Sequence, residues 1–419
     1  MKSLELFSGT GGLAKGLELA GFQHAAFVEF NKHACNSLRK NFDPETVFFG
    51  DVRDFDFSKL SNIDLVAGGP PCQPFSLGGL HKASEDNRDM FPYAAKAVSL
   101  CKPKAFLFEN VKGLLRQSFR PYFTYVLLRL SFPDLYAAEN ESWQHHFSRL
   151  QQIDWESYSG TKYRVKFALL NSADYGVPQV RERVFIVGMK SDLNIGWEFP
   201  KTTHSSDQLY LNQFINHSYW QKHQLKVPQR YIGSGPIHCE QFNFGLPMPG
   251  AKLPWQTVRD ALEGVPDPQT NHALPDHIFR SGARSYAGHT GSFIDLPAKT
   301  IKAGAHGVPG GENMIRFEDG SIRYLTVHEG KLLQTFDSDF VVTGGWGEGF
   351  RQIGNAVPTK LAEILGTEIH NLLCKSENRT YSLNQKFAHL RAFNSVRHNN
   401  RTGHHDFVVE AHEQITEIG

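Results

Sequence analysis

The chain has 419 residues, of which 40% are hydrophobic and 21% charged, and its formal net charge is +1. A chain of this length buries a large core and is expected to form two lobes, and its composition excludes a disordered or fibrous protein. The near-neutral balance excludes capture of a polyanion by bulk charge, so a nucleic-acid partner would have to meet a local basic face.

In chain order, MKSLELFSGTGG goes straight into a strand-like run with no signal-peptide pattern, and no apolar run approaches the length of a membrane span. SLELF (3–7), AAFVEF (25–30), IDLVAGG (63–69), AFLFEN (105–110) and RVFIVG (183–188) read as strands. LAKGLELAG (13–21) reads as a helix, with Leu13, Leu17 and Ala20 on one face and Gly21 as its stop. Strands alternating with helices predict an α/β fold with a mostly parallel sheet and helices on both faces. Ligands of such sheets bind at the carboxyl ends of the strands. From 191 to 296 the pattern dissolves into a Pro-, Gly-, His- and Asn-rich stretch with interspersed aromatics, broken by one helix-like segment, PWQTVRDALEG (254–264). Regular patterning returns in RYLTVHEGKLLQTF (323–336) and TKLAEILGTEIHNLL (359–373). The expected domains are 1–190, 191–296, a return at 297–375, and a polar His-rich tail at 376–419. The tail is read as disordered or packed rather than as a metal site. Cys35, Cys72, Cys101, Cys239 and Cys374 are odd in number and scattered, which argues for reduced thiols in a cytoplasm.

The chemistry-bearing residues follow the same order. FSGTGG (7–12) joins a strand to a helix, and its glycines allow close backbone approach to a ligand at a helix start. Glu29, at the end of the next strand, could accept from ribose hydroxyls, and Asp51 in GDV could accept from an adenine amino group. Together they point to an adenosine-containing cofactor without separating NAD from S-adenosylmethionine, although GxGG departs from the GxGxxG dinucleotide pattern. In GGPPCQPFS (68–76) a thiol, Cys72, follows two stiff prolines at a strand end, a setting suited to a nucleophile. Glu109 ends an apolar strand and, partly buried, could hold or donate a proton. QVRER (179–183) puts Arg181 and Arg183 two apart, on one face of a continuous strand.

The ordered set FSGTGG, Glu29, GDV, PPCQPFS, ENV, QVRER, RYLTVHE (323–329) and RQIGNAVP (351–358) resembles the DNA (cytosine-5)-methyltransferases, over about 3–190 and 297–373. The resemblance implies a Rossmann-like S-adenosylmethionine-dependent methyltransferase fold with a smaller, irregular target-recognition domain. It implies S-adenosyl-L-methionine as methyl donor, S-adenosyl-L-homocysteine as product, and a cytosine flipped out of double-stranded DNA. Phe7, Ser8, Gly9, Gly11, Gly12, Glu29, Phe30, Asp51, Val52, Pro71, Asn355 and Ala356 would meet the cofactor. Cys72 would add to carbon 6 of the base. Glu109 would hold its N3 edge and Arg183 its O2 side, with Gln179 and Arg181 in support. Gln73, Ser76 and Arg88 would contact DNA, and SLGGLHKASEDNRDMF (76–91) corresponds to the family's mobile loop, with Gly78 and Gly79 as hinges. The family further implies a monomer without a membrane or metal site, paired with a restriction endonuclease or acting alone.

Two stretches depart from the family pattern: an insertion within about 116–162, and the tail. An RNA (tRNA) methyltransferase on the same scaffold is the nearest rival, but the CFT signature of that branch is not found. A catalytically dead DNA-binding module would not need both Cys72 and Glu109. A nucleotide-dependent oxidoreductase leaves PPC, ENV and QxRxR unexplained.

Overall fold

The computed structural model describes residues 1–71, 89–229, 252–286, 289–303 and 313–390, the last fourteen as backbone only. Two compact units emerge. The first comprises Met1–Leu169, Arg183–Phe199 and the chain from Glu363; the second comprises Leu170–Glu182 and Pro200–Ala362.

The first unit is built on a seven-stranded sheet of order β3-β2-β1-β4-β5-β7-β6. Its strands are β1 (Lys2–Leu6), β2 (Gln23–Glu29), β3 (Val47–Phe49), β4 (Leu65–Gly68), β5 (Ala105–Val111), β6 (Tyr163–Asn171) and β7 (Glu182–Lys190). β1 to β5 are mutually parallel, and β7 runs antiparallel to β5. The central strands β1 and β4 are covered on both faces: Leu4, Leu6, Leu65 and Val66 are fully buried, as expected where helices flank a parallel sheet. Gly68 ends β4 so close to β1 that a side chain there would lie 2.2 Å from the Leu6 carbonyl oxygen. The expected strands are all present. β3 and β6, which the sequence pattern did not single out, lie toward the two margins of the sheet, where β3 has only three residues and β6 alternates buried with half-buried positions.

The flanking helices are α1 (Gly12–Leu19), α2 (Lys32–Asn41), α3 (Phe91–Cys101), α4 (Arg120–Ser131) and α5 (Trp143–Gln151). Asn31 caps α2 by accepting from Ala34 N at 3.0 Å, and Arg39 and Lys40 in its last turn oppose the helix dipole. Pro92 and Pro121 sit in the first turns of α3 and α4, where no amide donor is needed. Ser142 caps α5.

The second unit holds short elements: β8 (His204–Ser205), α6 (Ser206–Tyr210), α7 (Ser218–Lys222), β9 (Leu253–Pro254), α8 (Val258–Ala261), β10 (Ser292–Phe293), β11 (Met314–Arg316), β12 (Ile322–Tyr324), α9 (Val327–Leu333) and α10 (Trp346–Asn355). The helix expected over 254–264 shrinks to the single turn α8, closed by a Thr257–Asp260 capping box. β10, β11 and β12 form a sheet of their own, and residues 297–362 fall with 200–296 in the second unit. Residues 170–182 join them through Gln179, which bridges to Ala298 and accepts from Ile301 N at 3.0 Å. The last helix, α11 (Thr359–Leu390), runs on past 376. From residue 363 it belongs to the first unit, where Gly366 lets it approach α1: a side chain there would lie 2.8 Å from Leu17 and 2.9 Å from Ala20. Among the described residues no helix is long and apolar enough to cross a membrane.

Candidate active site

In the sheet of the first unit, the chain proceeds from β1 outward to β2 and β3, then returns to the other side of β1 with β4. The carboxyl ends of β1 and β4 therefore flank a topological switch point, where open α/β sheets bind ligands. Every described chemistry-bearing residue of this unit lies on that edge.

At the end of β1 the chain turns sharply. Phe7 has φ 52°, a left-handed conformation unfavourable for an aromatic residue, followed by Gly9 at φ 54° and Gly11 at φ 98°. The turn is pinned by Ser8, whose hydroxyl donates to Glu5 O at 2.9 Å, and by Gly11 N, which donates to Ser8 O at 3.0 Å. Among the described residues no non-neighbouring atom lies within 4 Å of where a Gly9 side chain would begin, whereas one at Gly11 would strike Phe42 at 2.8 Å. Gly9 thus presents bare backbone to open space. α1 begins at Gly12 with no side-chain cap and no acidic residue in its first turn, so its leading amides remain suited to a carboxylate or other polar group.

Glu29 ends β2 and is only 6% exposed, which excludes a solvated surface carboxylate. It accepts from Gly9 N and Asn31 N, each at 2.7 Å. Burial pushes its carboxyl above the ordinary glutamate value, against the opposing pull of those amides. Next to it Phe30 leaves an aromatic ring 69% exposed, a flat apolar surface beside a buried acceptor. Asp51 follows β3 and caps the turn Val52–Asp54; the Arg53 guanidinium grips it at 2.9 and 2.6 Å and holds its carboxyl below the usual range. Val52 is buried in the core. Strained turn, open glycine, buried acceptor, exposed ring and uncapped helix start fit an adenosine bearing an amino-acid tail.

On the other side of the switch point, β4 leads through Gly68 and Gly69 into Pro70 and Pro71. Cys72, Gln73, Ser76 and Arg88, together with the hinges expected at Gly78 and Gly79, lie outside the described residues. The neighbouring β5 brings Glu109 to the same edge, 8% exposed, with Oε2 lying 3.5 Å from where a Gly69 side chain would begin. Its Oε1 forms an ion pair with Arg183 Nε at 2.9 Å. Arg183 reaches this edge because β7 is antiparallel: Val111 at the carboxyl end of β5 faces Arg183 near the start of β7.

Asn110, which the sequence reading did not single out, donates from Nδ2 to Pro70 O at 2.9 Å and accepts from Val111 N at 2.8 Å. It fastens the prolines before Cys72 to the strand that carries Glu109. The available signal was a second polar residue ending an otherwise apolar strand.

Arg181 and Gln179 do not share a strand face with Arg183, since β7 begins at Glu182. Both belong to the second unit and are fully buried there. Arg181 donates to Gly354 O at 3.0 Å, and Gln179 donates to Leu333 O at 3.3 Å. Asn355 ends α10 in that unit with an exposed side chain and Ala356 follows it, while Gly354 packs so tightly that a side chain would meet Ala303 N at 2.5 Å. Among the described residues no cluster of three or more His, Cys, Asp or Glu could hold a metal ion.

Comparison with known proteins converges on one family. The model of the C-5 cytosine-specific DNA methylases matches residues 1–371. The type II methyltransferase M.NgoMIV of Neisseria gonorrhoeae is 28% identical over 380 residues, 90% of this chain and 99% of that protein. M.Eco47II of Escherichia coli is 31% identical over 378 residues, 90% of this chain and 80% of its own. A prophage-encoded protein of E. coli, whose crystal structure is described as that of a DNA modification methyltransferase, shares the fold. Its TM-score is 0.54 at 20% identity, covering 89% of this chain and 99% of that one. With its mostly parallel sheet, its switch-point edge and a match running almost the whole length of the sheet-bearing chain, this protein belongs to the C-5 cytosine-specific DNA methylases.

Proposed function

We propose that this DNA cytosine-5 methyltransferase uses S-adenosyl-L-methionine to methylate one cytosine in a short duplex sequence, and that it serves as the modification enzyme of a restriction–modification pair. The observation that carries the reading is the placement of Glu109 and Arg183 beside the Gly69–Pro71 lead into Cys72, on the same sheet edge as the Phe7–Gly12 turn and Glu29. Type II relatives support the restriction–modification assignment.

In this reading S-adenosylmethionine supplies an electrophilic methyl group. Glu29 accepts from the ribose hydroxyls, Asp51 from the adenine amino group, and Phe30 covers the ring. A cytosine flipped out of the duplex meets Glu109 at N3 and the exocyclic amine, and Arg183 at O2. The Cys72 thiolate adds to carbon 6, and protonated Glu109 relieves the charge that develops on the ring. Carbon 5, made nucleophilic, then takes the methyl group as its bond to sulfur breaks, leaving S-adenosyl-L-homocysteine as product. A water-mediated base removes the carbon 5 proton, and elimination restores the thiolate.

The test is incubation with labelled S-adenosylmethionine and a mixture of duplex DNA and tRNA. Label is expected in 5-methylcytosine of duplex DNA; label in tRNA alone would overturn the reading. Cys72→Ala is expected to abolish turnover and trapping on 5-fluorocytosine DNA while still binding cofactor, and undiminished trapping would refute the role of Cys72.

A further inference from the structure

We infer that Tyr122 and Asp89 are positioning residues for the segment that carries Cys72, an inference that rests on the reading of Cys72 as nucleophile. In sequence that segment lies between Pro71 and Asp89. Its two ends are tied directly, since Met90 N donates to Pro71 O at 3.0 Å. Two of the contacts of Asp89, at the returning end, are made by its carboxylate. One oxygen accepts from Phe91 N at 3.2 Å, fixing the start of α3, and the other accepts from the Tyr122 hydroxyl of α4.

Tyr122 is 4% exposed, so its hydroxyl needs a partner, and a carboxylate acceptor makes the bond stronger than a neutral one. Behind it stands α5. Trp143 packs edge-on against the Tyr122 ring at 5.5 Å and at a tilt against Tyr125 at 5.7 Å, and the Tyr125 hydroxyl is bonded to buried His146 at 3.0 Å. α5 lies in the stretch by which this chain departs from the family pattern, and backing Tyr122 gives that stretch a task. A shift of Asp89 moves Met90, and through it the Pro71 carbonyl, one residue from the thiol. Misplacing a reacting group by about 1 Å costs on the order of a hundredfold in rate.

The variants are Tyr122→Phe, which keeps the ring packed on Trp143, Asp89→Ala, Asp89→Asn and the double variant Tyr122→Phe/Asp89→Ala, all in the full chain. Tyr122→Phe is expected to lower kcat and the rate of adduct formation on 5-fluorocytosine duplex DNA about tenfold, with cofactor affinity within about twofold of the parent. Asp89→Asn should recover most of what Asp89→Ala loses, because its amide can donate to the phenol oxygen. The double variant should be no slower than Asp89→Ala, as expected of two groups in one bond. A Tyr122→Phe enzyme with unaltered kcat and trapping, or one whose cofactor affinity falls equally, overturns the inference. A parent enzyme that forms no adduct overturns the reading of Cys72 and this inference with it.

Discussion

At the scale of single residues, environment sorts groups of the same chemistry into different roles. Burial pushes the Cys35 thiol up to about 12 and the Cys101 thiol to about 11, so neither holds appreciable thiolate at neutral pH. Brief alkylation at neutral pH should therefore leave both unmodified in peptide mass mapping, with inactivation following label at Cys72; early modification of Cys35 would contradict this. Glu29 is raised from the ordinary 4.5 by burial. It should take up a proton, and lose acceptor capacity toward ribose, at a pH where an ordinary glutamate is still ionised. Calorimetric cofactor titrations should show affinity falling on acidification before 4.5 is reached. Glu29→Gln should bind about tenfold more weakly and without that dependence. Glu29 and Glu109 were legible in the sequence because a carboxylate closing an apolar strand is conspicuous. Asn110 and the Asp89–Tyr122 bond were not: their partners lie 40 and 33 residues away, and only the folded sheet and α4 bring them together.

At the scale of elements, orientation matters as much as identity. QVRER precedes its strand's carboxyl end by the whole length of β7, and Arg183 reaches the site edge only because that strand runs against β5. Spacing within a sequence does not encode where a strand begins or which way it runs, so Arg181 and Arg183 read as sharing one strand face and do not. α5 carries a different signal. Its His146 is fully buried and is lowered by burial from 6.5 to about 4. A histidine held neutral in the fold but titrating normally when unfolded contributes stability that is complete above 6.5 and is lost as pH falls toward about 4. The thermal midpoint should decline across that window. The decline should be shallower in His146→Phe, which should also be about 1 kcal/mol less stable at neutral pH through loss of the Tyr125 bond. An equal slope in both proteins would show that this histidine does not set the acid sensitivity.

At the scale of the whole molecule, the α/β class and the mostly parallel sheet could be read from apolar runs alternating with helical patterns, since both faces of β4 and most of β5 are buried. β10, β11 and β12 were not legible, being strands of two or three residues with too little sequence to show a period. The placement of α11 carries a consequence for biosynthesis. The surface of α1 formed by Leu17 and Ala20, with Phe22 just beyond it, is covered by Gly366 and His370, residues that leave the ribosome after the entire second unit. The growing chain must carry that apolar surface uncovered through most of translation, an interval in which a nascent sheet is most exposed to chaperones and to aggregation.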